Sequence, residues 1–261
     1  MGHERVGYLP RTKRWIDLIK QIGSFDSSTL PVASIATQTL DNVRKQYETL
    51  SRDDAVKTVF TYLVTFSRAC RFPNPRDELN ASGVHMPDQL TLLAVVKSLR
   101  EQIPSQVAAS EYGQLAIAAA ADAIGQWYKE NDTKQIPLFK PTSEFLGSCQ
   151  ALGSGTGFCE LARLYFGRLT ERYLNYFLDR VSSATLSDIQ QREKFQNDIR
   201  AHIDDVSKHA FETAKITQSF AAGWFNSHTR EKVPNEEEIE GFLAIAFGKL
   251  RDELRREAES K

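Results

Sequence analysis

Apolar positions recur at helical spacing along almost the whole chain. Between Pro31 and Leu50, the side chains of Val32, Ile35, Leu40, Val43, Tyr47 and Leu50 share one broad face. Ser51-Arg52-Asp53-Asp54 then reads as a capping box: Ser51 is placed to accept an orphan backbone N–H, and Asp54 is a shorter substitute for the usual glutamate. The helix it opens runs to about Cys70, with Val56, Phe60, Leu63 and Phe66 inward. Residues 58–66 (TVFTYLVTF) are β-branched and aromatic, a composition with strand propensity. A lone strand leaves its backbone groups unpaired. No second stretch of comparable character offers a partner, so the expectation is helix.

Residues 71–88, with three prolines and a glycine, form a first long connection. Asp88 is placed to cap a helix reaching Ile103. Pro104-Ser105 ends that helix and starts an alanine-rich one to about Glu130. A second connection, 131–156, holds Pro137, Pro141 and the glycines of Gly153-Ser154-Gly155-Thr156-Gly157. Phe158 to about Ser182 is apolar on nearly all sides, the pattern of a central helix. The last helix starts near Asn235.

Between them, Ser187 to about Ser227 reads as one long helix of about 40 residues, roughly 60 Å at 1.5 Å per residue. Its seam of Ile199, Ile203, Val206, Ala210, Thr213, Thr217, Phe220 and Trp224 alternates steps of four and three, an unbroken heptad pattern. The two threonines weaken it as an isolated coiled coil, so packing within a bundle is the expected use. The predicted fold is all-α, an irregular bundle of about seven or eight helices. It divides into a helical half at 1–130, the 131–156 connection and a C-terminal bundle at 157–261, the halves forming one domain or two.

Composition narrows the function classes. In 261 residues, 33 Lys+Arg face 34 Asp+Glu, a formal net charge of −1, so no basic field surrounds the molecule. The three cysteines are too few for a disulfide framework and suit a reducing compartment. The charged N-terminal stretch is not followed by an apolar core such as a signal peptide needs. The most apolar run, Leu115 to Ala121, is stopped by Asp122, far short of a bilayer span. The expectation is a cytoplasmic protein with no membrane contact.

Candidate chemistry is sparse. The glycine loop before the central helix has a position suited to phosphate, but it lacks the strand, the lysine and the spacing of a nucleotide loop and reads as a helix connection. Asp198, His202, Asp205 and His209 recur at 4-3-4 spacing on one stripe of the long helix. Of these, His202, Asp205 and His209 are the candidate metal ligands. No Glu-x-x-His occurs to complete a helical di-metal set, and a solvated face accounts for the stripe. Neither a His-Asp dipeptide nor an Arg-x4–6-His nuclease pattern is present, and no nucleophile–base arrangement stands out. Cys149 and Cys159 lie in apolar context and read as buried thiols.

Two groups remain as binding candidates. Arg163, Arg168, Arg172 and Tyr176 form an Arg/Tyr face on the central helix that suits phosphate contact and base stacking, although helical carboxylates stand near enough to pair with the arginines. Phe220, Trp224 and Phe225 are core residues if their helix end is packed, and a partner-binding hot spot if it projects. The sequence therefore points to a non-enzymatic interaction module or accessory subunit that binds another protein or itself. A nucleic-acid-binding helical protein is the alternative, and a helical metalloenzyme or nuclease without a readable motif comes third. No catalytic residue and no cofactor is implied.

Overall fold

The computed structural model describes residues 12–24, 32–88, 90–131, 142–186, 188–212 and 220–259, with the side chains of 142–146, 180 and 212 excepted. Every regular element among them is helical apart from turns. In chain order these are α1 (Lys13–Gly23), α2 (Val32–Asn42), α3 (Arg44–Thr49), a 3-10 turn (Leu50–Arg52), α4 (Asp54–Ala69), α5 (Pro75–Ala81), α6 (Leu92–Gln102) and α7 (Ser105–Ala108). There follow α8 (Glu111–Asn131), α9 (Thr142–Leu152), α10 (Gly155–Thr185), α11 (Ile189–Glu212), α12 (Phe220–His228) and α13 (Glu236–Glu259). No described helix is long and apolar enough to cross a membrane.

The all-α expectation is met, and two finer expectations are corrected. Thirteen α-helices are formed among the described residues where seven or eight were expected. The surplus is largely short: α3, α5 and α7 have 6, 7 and 4 residues, too few turns for an apolar period to register. Nor is there a described helix of about 40 residues. The 187–227 segment contains α11 and α12, and its seam residues Thr213 and Thr217 lie outside the described residues. The longest helix is α10, at 31 residues. The two described helices of that segment share neighbours: α11 packs on α10 and α13, and α12 packs on α10 and sets Phe220 and Trp224 against Phe242 of α13.

Local signals decide the helix starts. Asp53, not Ser51, caps α4, accepting from the backbone N–H groups of Ala55 (3.0 Å) and Val56 (3.1 Å). The strand-like 58–66 stretch lies inside α4, buried on most sides. Its threonines are accommodated because Thr58, Thr61 and Thr65 donate to the carbonyls of Asp54, Lys57 and Thr61, at 2.7 to 2.8 Å. Thr91 caps α6 by accepting from Ala94 N–H at 3.1 Å, while Asp88 pairs with Arg76 at 2.5 Å instead. At α13 the capping box is reciprocal: Glu238 N–H donates to Asn235 Oδ1 at 2.9 Å, and Asn235 N–H donates to Glu238 Oε2 at 2.7 Å.

The core forms around α10, whose Tyr165, Phe166, Leu169, Tyr173, Leu174 and Leu178 are all fully buried. Phe60 of α4 and Phe158 of α10, from opposite sides of the 131–156 connection, lie with ring centroids 6.2 Å apart. Within that connection, α9 occupies Thr142–Leu152, and Pro137 and Pro141 lie outside the described residues.

The glycine loop at 153–157 is a close-packed corner. A Cβ on Gly153 would stand 2.7 Å from the backbone of Cys70 and Arg71, and one on Gly157 would stand 2.1 Å from the Ala151 carbonyl oxygen. Ser154 caps α10, accepting from Gly157 N–H at 3.0 Å, and Arg71 Nε donates to the Gly153 carbonyl at 2.9 Å. Close backbone approach therefore explains these glycines. Gly157→Ala is expected to destabilise the protein by about 2–3 kcal/mol through overpacking. Gly125→Ala on α8 meets nothing within 4 Å and is expected to stabilise by up to about 1 kcal/mol. Urea denaturation of the pair tests this, and equal midpoints would refute the close-packing account.

Candidate functional site

The Arg/Tyr face of α10 is occupied by its own protein. Arg168 exposes 6% of its side chain and donates to Glu171 Oε2 at 2.8 Å, to Asp204 Oδ2 on α11 at 3.2 Å, and twice to Gln126 Oε1 on α8 at 2.6 and 3.2 Å. Burial opposes its charge, yet the carboxylates of Glu171 and Asp204 outweigh burial and push its pKa above the ordinary arginine value. Arg200 joins Glu171 at 3.5 Å, and Arg172 is hydrogen-bonded to Asp122. Arg163 is nearly buried, with Glu130 4.0 Å away. Tyr176 is 41% exposed. Three helices are thus joined by ion pairs, with most of the cationic groups facing carboxylates.

The aromatic candidates on α12 face inward. Phe225 is fully buried and stacks on Phe158, with centroids 4.2 Å apart. Phe220 and Trp224 are partly buried against Phe242, at 5.3 and 4.5 Å. The guanidinium of Arg71 covers Phe225 at 4.1 Å from its ring centre.

The histidine stripe of α11 splits by depth. His202 is buried, Asp205 is exposed and pairs with Lys208 at 3.5 Å, and His209 turns toward α13. The three are not brought to one point. His209 Nδ1 instead lies 3.0 Å from Glu257 Oε1 and 3.5 Å from Glu253 Oε1. Sequence spacing marked His209 but paired it with neighbours on its own helix. The Glu253–Glu257 spacing of four was readable, its meeting with His209 was not.

All three cysteines are buried, and none is in a disulfide. Burial, together with the adjacent Cys149 thiol, pushes the Cys70 thiol well above its usual pKa, which suppresses the reactive thiolate.

Comparison with protein families, curated proteins and solved structures finds no match in any of the three. The chain's own surface must carry the functional reading.

Among the described residues, the outer face of α13 carries side chains that its own fold leaves unexplained. On α13, Ile239, Phe242, Leu243, Ala246, Phe247 and Leu250 are buried. On the opposite side Gly241, Ala244 and Ile245 are exposed, and Gly248 is half-buried. Ile245 is 52% exposed. A Cβ on Gly241 or Gly248 would touch nothing within 4 Å, so internal packing does not require either glycine. Each costs roughly 1 kcal/mol of helix propensity relative to alanine. Beside this strip runs a cleft of about 460 Å³ between α13 and the α3 region, lined by Glu48, Arg52, Glu240, Ala244, Gly248 and Arg251. Glu48 accepts from Arg44 and from Arg251, each at 2.8 Å, and these partners hold its carboxyl below the usual range. The sequence signal for the strip was the small-residue spacing of 241, 244 and 248 opposite the core face, interrupted by an isoleucine.

Proposed function

We propose that the protein is a non-enzymatic helical interaction module, an accessory subunit that works by docking helix against helix through the exposed face of α13. The observation that carries this reading is Ile245, half-exposed within a strip of Gly241, Ala244 and Gly248. Small side chains let a second helix backbone approach closely, and an apolar side chain beside them supplies burial on contact.

The occupant we assign is a second copy of this chain, packed antiparallel. The first turn of α13 is acidic (Glu236, Glu237, Glu238), whereas its last eleven residues carry four basic and four acidic side chains. An antiparallel pair centred on Ile245 sets Ile245 against its own copy, so that one self-complementary strip supplies both sides of a two-fold interface. For nucleic acid, by contrast, the α10 arginines are already engaged with Glu171, Asp204 and Asp122.

Light scattering over a concentration series from about 1 to 100 µM tests the assignment. The expected mass is twice the 29.5 kDa of one chain. Ile245→Asp is expected to return the monomer with stability within about 0.5 kcal/mol of the parent, as for an ordinary surface substitution. A parent protein that stays monomeric throughout overturns the second copy as occupant. Recovery of a stoichiometric partner that Ile245→Asp releases would then place a different helix on the same strip.

A further inference from the structure

The geometry points to a binding site for a first-row divalent transition-metal ion formed by His209 of α11 with Glu253 and Glu257 of α13. One ligand atom from each residue lies within 4.8 Å of the other two. In a tetrahedral zinc shell, with bonds of about 2.0–2.2 Å, neighbouring donor atoms stand about 3.3 Å apart. The two measured separations from His209 Nδ1, 3.0 and 3.5 Å, bracket that value. The donors are therefore spaced for an ion with small side-chain adjustment.

The donor set fits this chemistry. Imidazole with carboxylate suits zinc and its neighbours, whereas calcium and magnesium take oxygen ligands. Glu253 and Glu257, one helical turn apart, present two negative groups to one point, and Glu253 exposes 11% of its side chain. A cation between them relieves their repulsion and offsets the cost of holding Glu253 out of water. Arg256 is hydrogen-bonded to Glu253 Oε1, the same oxygen that faces His209, but its own side chain is 61% exposed, so it can turn to solvent and yield that oxygen to an ion without burying its charge. The His209 side chain is 52% exposed, so the cluster lies near the surface. Such an ion would clasp α11 to α13. The assignment is independent of the α13 strip, which uses other residues of that helix.

Isothermal titration of the full chain with zinc chloride tests it, with cobalt(II) absorption as a second readout that needs no variant. The expected result is a site of 1:1 stoichiometry, with visible cobalt bands of a nitrogen/oxygen environment displaced by zinc. Zinc at about 100-fold above its Kd is expected to raise Tm by about 5–10 °C. His209→Gln and Glu257→Gln are each expected to weaken binding at least tenfold, with circular dichroism confirming that both fold. His85→Ala, at an exposed histidine in the α5–α6 connection, is expected to leave binding unchanged. The proposal is overturned by absence of zinc binding, or by affinity that falls in His85→Ala and survives in His209→Gln. If both variants misfold, the cobalt spectrum and zinc-dependent Tm of the parent protein decide, and their absence overturns it.

Discussion

Phe242→Ala is expected to lower Tm by roughly 8–16 °C, the largest effect of any single side chain considered. The ring of Phe242 meets rings from three helices besides its own. It stacks on Phe60 of α4 at 5.1 Å and meets Phe158 and Phe166 of α10, both at 6.1 Å. It also meets Phe220 at 5.3 Å and Trp224 at 4.5 Å, both on α12. Around it, α11 contributes Phe211, stacked on Phe166 at 5.7 Å. Truncating a buried phenylalanine costs about 3–5 kcal/mol, part from lost transfer free energy and part from the cavity left behind. In a chain of this size each kcal/mol corresponds to about 2–4 °C. Rigid rings from several helices cannot close that cavity without moving a helix, so the cost belongs in the upper part of the range. Phe242→Leu, which retains most of the volume, is expected to lose less than half as much. Calorimetry of both variants checks the account, and an alanine variant within 3 °C of the parent would refute it.

Arg168→Ala is expected to cost about 3 kcal/mol, or roughly 6–12 °C in Tm. Removing the guanidinium leaves Glu171, with 13% of its side chain exposed, and Asp204, with 27%, facing each other without their shared cation. Loss of one partner of a buried pair costs about 3–5 kcal/mol. The lower end applies because Asp204 reaches water and Arg200 remains 3.5 Å from Glu171. Arg168→Met, combined with Glu171→Gln and Asp204→Asn, is expected to recover much of the loss, since it removes the stranded charges along with the cation. Thermal melts of the single and triple variants distinguish a structural ion network from an exposed cationic surface. On an exposed surface, all of these changes would stay within about 0.5 kcal/mol. The same logic makes Arg168→Glu a poor probe of nucleic-acid binding, because three carboxylates would then meet at one buried point.

Particular elements show how far the sequence could be read. The all-round apolar character of Phe158 to Ser182 identified the central helix, and α10 lies there with Phe158, Tyr165, Phe166 and Tyr173 buried. The last helix is expected to start near Asn235, and Asn235 and Glu238 form the reciprocal cap that opens α13. The 58–66 stretch, strand-like by composition, was resolved as helix by asking where its backbone hydrogen bonds would go. The 187–227 segment was read correctly for which side chains face inward, since Ile199, Ile203, Val206 and Ala210 are buried. It was misread as one helix of about 40 residues, because a spacing of inward-facing positions does not fix where a helix ends. The glycine loop looked like slack between helices, yet its glycines answer to the backbones of Cys70 and Ala151, which no local pattern reveals.

What the sequence by itself determined is the helical class, the inward faces and the approximate start of α13. These depend on a 3.6-residue period and on caps that act within four residues along the chain. What only the tertiary structure decided is the chemistry of the polar groups. Arg168 meets Asp204 across 36 positions and Gln126 across 42, and His209 meets Glu257 across 48. A charge that stands on an amphipathic helix as if exposed becomes neutralised when another helix brings a carboxylate to it, and a lone histidine acquires two acidic neighbours in the same way. Helical period is a property of one element, whereas electrostatic environment is a property of the elements packed against it.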